Sequence, residues 1–453
     1  MAQLTALDAT ILKVQDPDQH ASLAVGAVAV IDGPAPDFQS LKALLTERIQ
    51  SVPRCTQLLR THPKTPEWVD FGGFDLDHHL HRVALARPGD DGELFRAVGH
   101  ALERPLDLDS PPWECWIIEG LQDDRWAILM KIHQCMVDGI SAARLLTRLC
   151  DGADGEEFTN PVAADGFSPS NVVTPRWADA LWRVSTVAGT ITSTLAGALW
   201  PTARTTTGPA FIRRRYRTVR VPISAVDTVC RKFNVSANDV ALAAITEGFR
   251  TVLLHSGEQP RADSLRTLVP LQNLSAVLPY LPVEHGDPVQ RLRTVQDRLN
   301  VRPSAARQSG ILGSAINCLP VTLRGNAIQL LSRISPHGIV TLATHAPGPR
   351  DHLELMGRPV ECLLPIPPTA VQLSTGVAVL SYGDELVFGI TAEYHAALDI
   401  RQLASGIESG MAQLLALSQD SVLLFNKDHR RKRSKRALRA AGGRPLPPAR
   451  ARH

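Results

Sequence analysis

The sequence has no regular cysteine spacing and no long hydrophobic run. Its seven cysteines are scattered, odd in number and never paired as C-x-x-C, which argues against a disulfide framework and against a structural zinc site. No stretch of about 18 strongly apolar residues is present, so we do not expect a transmembrane helix. The first ten residues, MAQLTALDAT, carry neither the basic nor the apolar segment of a secretory signal. These absences predict reduced thiols and a cytoplasmic protein.

The composition is that of an ordinary globular protein, with 44% hydrophobic and 21% charged residues in a chain of 453. That length exceeds what one hydrophobic core normally serves and predicts two domains of roughly 200 residues each. In the first half, AVGAVAVI and WAILMKI have the pattern of strands, whereas FQSLKALLTERI and ISAARLLTRLC have the pattern of amphipathic helices. Strands that alternate with helices indicate an α/β protein.

The second half repeats this alternation. SANDVALAAITEGF predicts the start of a helix, and LRTLVP and SAVLPYLPV predict strands. VAVLSYGDELVFGITAEY predicts a β-hairpin that turns near Gly383 and Asp384. We therefore predict two successive α/β domains, over residues 1–150 and 211–425.

Residues 151–210 are predicted to form a linker, because Gly, Asp, Asn, Ser and Pro dominate its first part. The segment TPRWADALWRVSTVAGTITSTLAGALWP follows, with Pro175 at the first helical position and one apolar stripe along the predicted helix. This stripe either packs on a domain or lies on a membrane surface, where Trp177, Trp182 and Trp200 would sit at the interface.

The net charge of +3 is unevenly distributed. From Lys427 to His453 there are eleven Lys or Arg residues and one Asp, which leaves the other 426 residues near −7. Residues 426–453 therefore form a basic tail that has little to bury and is predicted to be disordered. The tail is either a solubilising extension or an anchor to an anionic membrane, at about 1 kcal/mol per basic residue. Nucleic acid is the least favoured partner for the tail, because the basic run has no aromatic residue for base stacking.

The stretch KIHQCMVDG places polar residues where an apolar strand gives way to a helix. Strand ends suit chemistry, because rigid backbone positions side chains that reach a cleft. The imidazole of His133 could take a proton from an attacking hydroxyl at neutral pH. Asp138 could orient neighbouring groups or anchor the loop, and Gly139 allows a tight exit. A lone His and Asp five residues apart are, however, more often structural than catalytic.

Asn238 and Asp239 allow two interpretations. Ser236 and Asp239 have the spacing of a helix capping box, with Ser236 as N-cap. The alternative is direct contact with a substrate or a place at a domain interface. For Trp113, packing in the core is the default interpretation.

Several ordered motifs resemble one family. KIHQCMVDG is similar to the HHxxxDG motif of the bacterial wax ester synthase/acyl-CoA:diacylglycerol acyltransferase family, within the CoA-dependent acyltransferase superfamily. LTALDA, ERPLDLDSPPWECWIIEGL, SANDVALA, THAPGPR, ELMGRPV and VLSYGDELVFGITAEY resemble further family blocks in the same order. The resemblance extends from Leu4 to about Leu417.

The resemblance implies a pair of chloramphenicol-acetyltransferase-like α/β domains that enclose a tunnel. It also implies transfer of a fatty acyl group from CoA to diacylglycerol, which makes triacylglycerol, or to a long-chain alcohol. Fatty acyl-CoA would be a co-substrate, with no metal or other cofactor. The protein would be cytoplasmic, or peripheral to the inner face of the membrane or to a lipid-droplet surface, with no specific nucleic-acid partner.

Two departures from the family pattern bear on activity. The family's base is the histidine that is separated from the aspartate by three residues. Gln134 occupies that place here, whereas His133 matches the first histidine of the pair. A glutamine amide can position a hydroxyl but cannot take its proton. In a regular strand, His133 would share a face with Leu129 and Lys131, opposite to Gln134. The second departure is that LRTLVP and SAVLPYLPV are separated only by Leu-Gln-Asn-Leu, where the family has a longer loop.

We therefore predict an acyl-CoA-dependent O-acyltransferase with weakened activity. His133 and Asp138 are the candidate catalytic residues, and the candidate substrate-binding residues are Gln134, Gly139, Asn238 and Asp239. The alternatives are a degenerate family member that binds acyl-CoA or lipid without turnover, and a scaffold at a membrane surface.

Overall fold

The computed structural model describes residues 24–61, 66–133, 136, 142–151, 213–262, 264–268, 281–300, 339–349, 352–369, 375–393 and 399–419. The described residues before and after the predicted linker belong to one compact unit. The predicted helix between Pro175 and Trp200, the shortened loop and the basic tail lie outside the described residues. None of the helices within the ranges above is long and apolar enough to cross a membrane.

The first half contributes strands and helices in the alternation that the sequence predicts. Its elements are, in chain order, β1 (Ala24–Ile31), α1 (Phe38–Gln50), β2 (Gln57–Thr61), β3 (Pro66–Asp70), β4 (Leu80–Ala84), α2 (Asp91–Glu103), β5 (Trp113–Leu121), β6 (Arg125–His133) and α3 (Ala142–Arg148). β2 and β3 form a separate two-stranded ribbon. Asp37 caps α1 by accepting a hydrogen bond from the Ser40 amide at 3.0 Å.

The second half is also α/β. Its elements are β7 (Arg214–Pro222), α4 (Ile223–Phe233), α5 (Ala237–His255), β8 (Arg266–Leu268), α6 (Pro288–Asn300), β9 (Ile339–Pro347), β10 (Glu354–Leu355), β11 (Arg358–Thr369), β12 (Thr375–Tyr382), β13 (Glu385–Glu393) and α7, residues 400–419. Five of the strands form a mixed sheet in the order β7-β13-β12-β9-β8. The helices α5 and α7 pack closely through small residues, since a Cβ on Gly406 would lie 2.7 Å from the Cα of Gly248.

The first sheet has the order β10-β11-β1-β6-β5-β4, so two strands of the second half complete it. Alternate residues of β6 enter two separate hydrophobic clusters. Ile128, Met130 and Ile132 pack with α1 and α3, on what we call the α1 face. Ala127 and Leu129 pack with α2, on the α2 face. Because both faces are covered, β1 and the part of β6 from Trp126 to Met130 are apolar throughout.

β11 connects the two sheets. It pairs antiparallel with β1, and its Pro365 carbonyl accepts a hydrogen bond from the Tyr216 hydroxyl of β7 at 2.9 Å. Gly389 of β13 passes so close that a Cβ there would lie 1.6 Å from the Pro365 carbonyl oxygen. The second sheet therefore rests on a strand that belongs to the first.

Most of the predicted elements are confirmed, including the hairpin, in which Tyr382 pairs with Glu385 around Gly383 and Asp384. The strand predicted over SAVLPYLPV is wrong where it can be compared, because Leu281, Pro282 and Val283 form no strand. Pro282 has no amide proton to give to a ladder, and the Val283 amide instead bonds to the Leu281 carbonyl at 2.8 Å. Leu281 and Val283 are nevertheless buried, so the apolar run serves the core.

Candidate functional site

His133 is the last residue of β6. Its amide donates to the Pro112 carbonyl at 2.9 Å, and its Cα pairs with Ala24 of β1. The side chain is fully buried, and burial lowers the pKa of the imidazole to about 4. His133 is therefore neutral at neutral pH, but it is a weaker base than an ordinary histidine.

The direction of the His133 side chain follows from the register. β1 and β6 pair without a break from Ile31 and Trp126 to Ala24 and His133. Strand alternation therefore places His133 on the α2 face with Leu129 and Lys131, as the sequence predicts. Met136 lies in the cluster on the α1 face, together with residues of α3. Gln134, Asp138 and Gly139 lie outside the described residues, and their roles remain predictions.

Burial of His133 predicts a pH dependence of stability. An unfolded histidine binds a proton near pH 6.5, whereas the folded imidazole does so only near pH 4. The unfolded chain binds more protons between these values, so the free energy of unfolding should fall as the pH drops through this window, by up to about 3 kcal/mol. The His133→Gln variant should lose this contribution.

The measurement is urea unfolding of both proteins at pH 7 and pH 5. The parent should lose more stability on acidification than the variant, and the difference isolates His133 from other histidines. Equal losses in the two proteins would contradict the assignment.

Trp113, at the start of β5, packs in the core as predicted, with 1% of its surface exposed. Its indole nitrogen donates to the Cys55 carbonyl at 2.8 Å, and its ring stacks on His79 with centroids 4.4 Å apart. The Nδ1 atom of His79 lies 2.8 Å from the Trp113 carbonyl, which can only accept, so Nδ1 carries the proton. Burial lowers the pKa of His79. No sequence pattern predicts this pair, because the two residues are 34 positions apart.

Lys131 is a second buried polar group whose partners no sequence pattern predicts. The side chain is fully buried, and its ammonium donates to the carbonyls of Ala101 and Arg104 and to the Glu114 carboxylate. Burial lowers the pKa of Lys131, while the Glu114 charge opposes that shift. A buried ammonium group thus lies on the α2 face of the sheet, and it belongs to the residue two positions before His133.

Asp239 forms the predicted capping box at the start of α5. Its carboxylate accepts from the Ser236 amide at 2.9 Å and from the Ser236 hydroxyl at 2.8 Å. Asn238 is half-buried in the same first turn. The structural interpretation is therefore confirmed for Asp239, whereas substrate contact by Asn238 or Asp239 stays a prediction. Among the described residues, no group of three His, Cys, Asp or Glu side chains could hold a metal ion.

A solved structure has a similar fold. The wax ester synthase/diacylglycerol acyltransferase from Marinobacter aquaeolei VT8 matches with a TM-score of 0.63 at 24% identity, over 92% of this chain and 100% of that one. This likeness confirms the predicted mixed α/β fold of the chloramphenicol-acetyltransferase type.

Sequence comparisons give the family. Residues 4–241 match the model of the wax ester synthase/diacylglycerol acyltransferase catalytic domain, and residues 273–415 match that of the family's C-terminal domain. The chain is 60% identical, over the full length of both, to "Putative diacyglycerol O-acyltransferase Rv3371" of Mycobacterium tuberculosis. It is 44% identical to "Probable diacyglycerol O-acyltransferase tgs1" of the same species, over 92% of this chain and 97% of that one. The chain belongs to the wax ester synthase/diacylglycerol acyltransferase family.

Proposed function

We propose that this protein transfers a fatty acyl group from acyl-CoA to the free hydroxyl of diacylglycerol, with a long-chain alcohol as the alternative acceptor. The observation that carries the proposal is the match of both family domains together with the full-length relative at 60% identity. The printed names of the two mycobacterial relatives favour diacylglycerol.

The chemistry requires an activated hydroxyl and a leaving thiolate. The acceptor oxygen attacks the thioester carbon, a base takes the hydroxyl proton, and the C–S bond breaks to release CoA, whose sulfur receives a proton. The acyl group is already activated as a thioester, so the main task of the protein is to position the two substrates and move that proton.

This site lacks an efficient general base. Gln134 can hold the acceptor hydroxyl or the thioester carbonyl but cannot accept a proton. The nearest histidine in sequence, His133, is buried on the α2 face with a pKa of about 4. We therefore propose slow turnover, with Asp138 and Gly139 shaping the loop and Asn238 and Asp239 in contact with a substrate. Loss of a general base typically slows a reaction by roughly 10²–10⁴-fold.

The test is an assay with purified protein, labelled acyl-CoA and diacylglycerol, and a parallel reaction with a long-chain alcohol. Labelled triacylglycerol and one equivalent of free CoA are expected. Acyl-CoA binding without any ester product would favour the alternative that Gln134 supports, a family member that binds acyl-CoA without turnover. Absence of an ester product from both acceptors would overturn the proposal, whether or not acyl-CoA binds. Recruitment to a membrane by the basic tail remains a separate prediction.

A further inference from the structure

Lys131 of β6 forms hydrogen bonds to α2 and to β5 that have no part in the proposed reaction. Its ammonium has three donors, and it meets three acceptors: the Ala101 carbonyl at 2.9 Å, the Arg104 carbonyl, and the Glu114 carboxylate at 3.2 Å. The side chain has no exposed surface. A buried ammonium is tolerated only when it is paired and hydrogen-bonded, and this one is fully satisfied.

The two carbonyls belong to the end of α2. Ala101 lies in the last turn of that helix, and Arg104 is its C-cap. Carbonyls at a helix C-terminus have no partner within the helix and carry a partial negative charge, so a cation there is favourable. Lys131 therefore caps α2 from the neighbouring sheet rather than from the helix itself.

Glu114 extends the connection to the next two strands. Its carboxylate also accepts from the Trp116 indole at 3.0 Å and lies 3.9 Å from the His81 imidazole of β4. The cluster of Lys131, Glu114, Trp116 and His81 thus joins β6, β5, β4 and the end of α2. We call this group the Lys131 cluster.

The Lys131 cluster lies directly before the candidate site. His133 follows Lys131 by two residues on the same face, and its amide bonds to Pro112, which precedes β5. The strand end that leads into the Gln134–Gly139 motif is therefore attached to its neighbours at two successive points, by the Lys131 side chain and by the His133 amide.

We infer that Lys131 is a positioning residue for acyl transfer, which fixes the end of β6 against β5 and the C-terminus of α2. This inference rests on the proposed function for its effect on catalysis, but not for its effect on the strand. Loss of the ammonium frees the α2 carbonyls and leaves Glu114 without its cation, so the strand end becomes mobile. The start of the motif, at His133, is then no longer held in place.

Two variants and a control separate positioning from a general loss of stability. Lys131→Met removes the ammonium with little change in volume. Lys131→Met combined with Glu114→Leu removes both charges, so no uncompensated buried carboxylate remains. The control is Leu129→Ala, which leaves a cavity on the same face of the same strand but keeps the Lys131 cluster intact.

The first measurement is amide hydrogen exchange, which needs no enzymatic activity. In Lys131→Met, exchange of the His133 amide should accelerate at least tenfold more than exchange of the Ile128 amide. In the control, both amides should accelerate by the same factor. Equal acceleration of the two amides in Lys131→Met would overturn the inference.

The second measurement is steady-state kinetics. We expect kcat to fall at least tenfold in Lys131→Met, with KM for acyl-CoA within twofold of the parent and kcat of the control unchanged. The double variant should recover melting temperature relative to Lys131→Met but not kcat. Recovery of kcat together with stability would show a merely structural role and overturn the inference. If no protein, including the parent, forms an ester, the proposed function fails, and the exchange measurement alone decides the role of Lys131.

Discussion

Replacing Gln134 by histidine is expected to raise the rate of acyl transfer by roughly 10²–10⁴-fold, the usual contribution of a general base. The reason is chemical: imidazole can accept the proton of the attacking hydroxyl, and a primary amide cannot. The substitution restores the second histidine of the family motif, four residues before Asp138. The rate with labelled acyl-CoA and diacylglycerol measures the effect directly.

The pH profile of the same variant identifies the group that acts. A new imidazole with an ordinary pKa near 6.5 would give an acid limb, because the base form is lost as the pH falls through that value. The parent should show no such limb between pH 5 and 8 if it depends on His133, since that pKa is about 4. The new limb and the rate increase should appear together.

Two controls make the result specific. Gln134→Asn changes the side chain without adding a base and should give no increase in rate. His133→Gln in the restored protein should have a smaller effect than removal of the new histidine. A restored protein as slow as the parent would assign the defect to the shortened loop between LRTLVP and SAVLPYLPV, or favour a binding role.

The success of sequence reasoning depended on whether an interaction is local. The apolar run from Trp126 to Ile132 and the helix start at Ser236 depend on near neighbours, and both are confirmed. Strand alternation alone also predicted the face on which His133 lies. In each case the relevant partners are within a few residues or are set by backbone geometry.

The interactions that sequence reasoning missed are long-range. Lys131 reads as part of a strand, and its acceptors come from residues 17 to 30 positions earlier. No periodicity in the sequence predicts that β11, a strand of the second half of the chain, pairs with β1 of the first half. The pairing of His79 with Trp113 was invisible for the same reason, although a histidine beside apolar strand residues is a usable signal for a buried polar contact.

The second large effect is expected at the crossing of the two sheets, where Gly389→Ala should lower the free energy of unfolding by about 3 kcal/mol or more. The added methyl group would lie 1.6 Å from the Pro365 carbonyl oxygen and 3.2 Å from the Tyr216 hydroxyl. The nearest obstacle is backbone in the middle of a paired strand, so it cannot move aside as a flexible side chain does. Displacing β13 should also break the bond from Tyr216 to Pro365.

Urea unfolding followed by tryptophan fluorescence tests this expectation against a matched glycine. Gly72→Ala adds the same methyl group where no atom lies within 4 Å, so its midpoint should stay close to that of the parent. Gly376→Ala should fall between the two, because the nearest atoms to its methyl group would be side-chain atoms of Pro367 and the Thr391 hydroxyl oxygen, all at 3.1 Å, and not backbone. Equal midpoints for Gly389→Ala and Gly72→Ala would show that β13 does not bear on β11 at this point. The ranking of the three variants therefore measures how closely the second sheet packs against β11 of the first sheet.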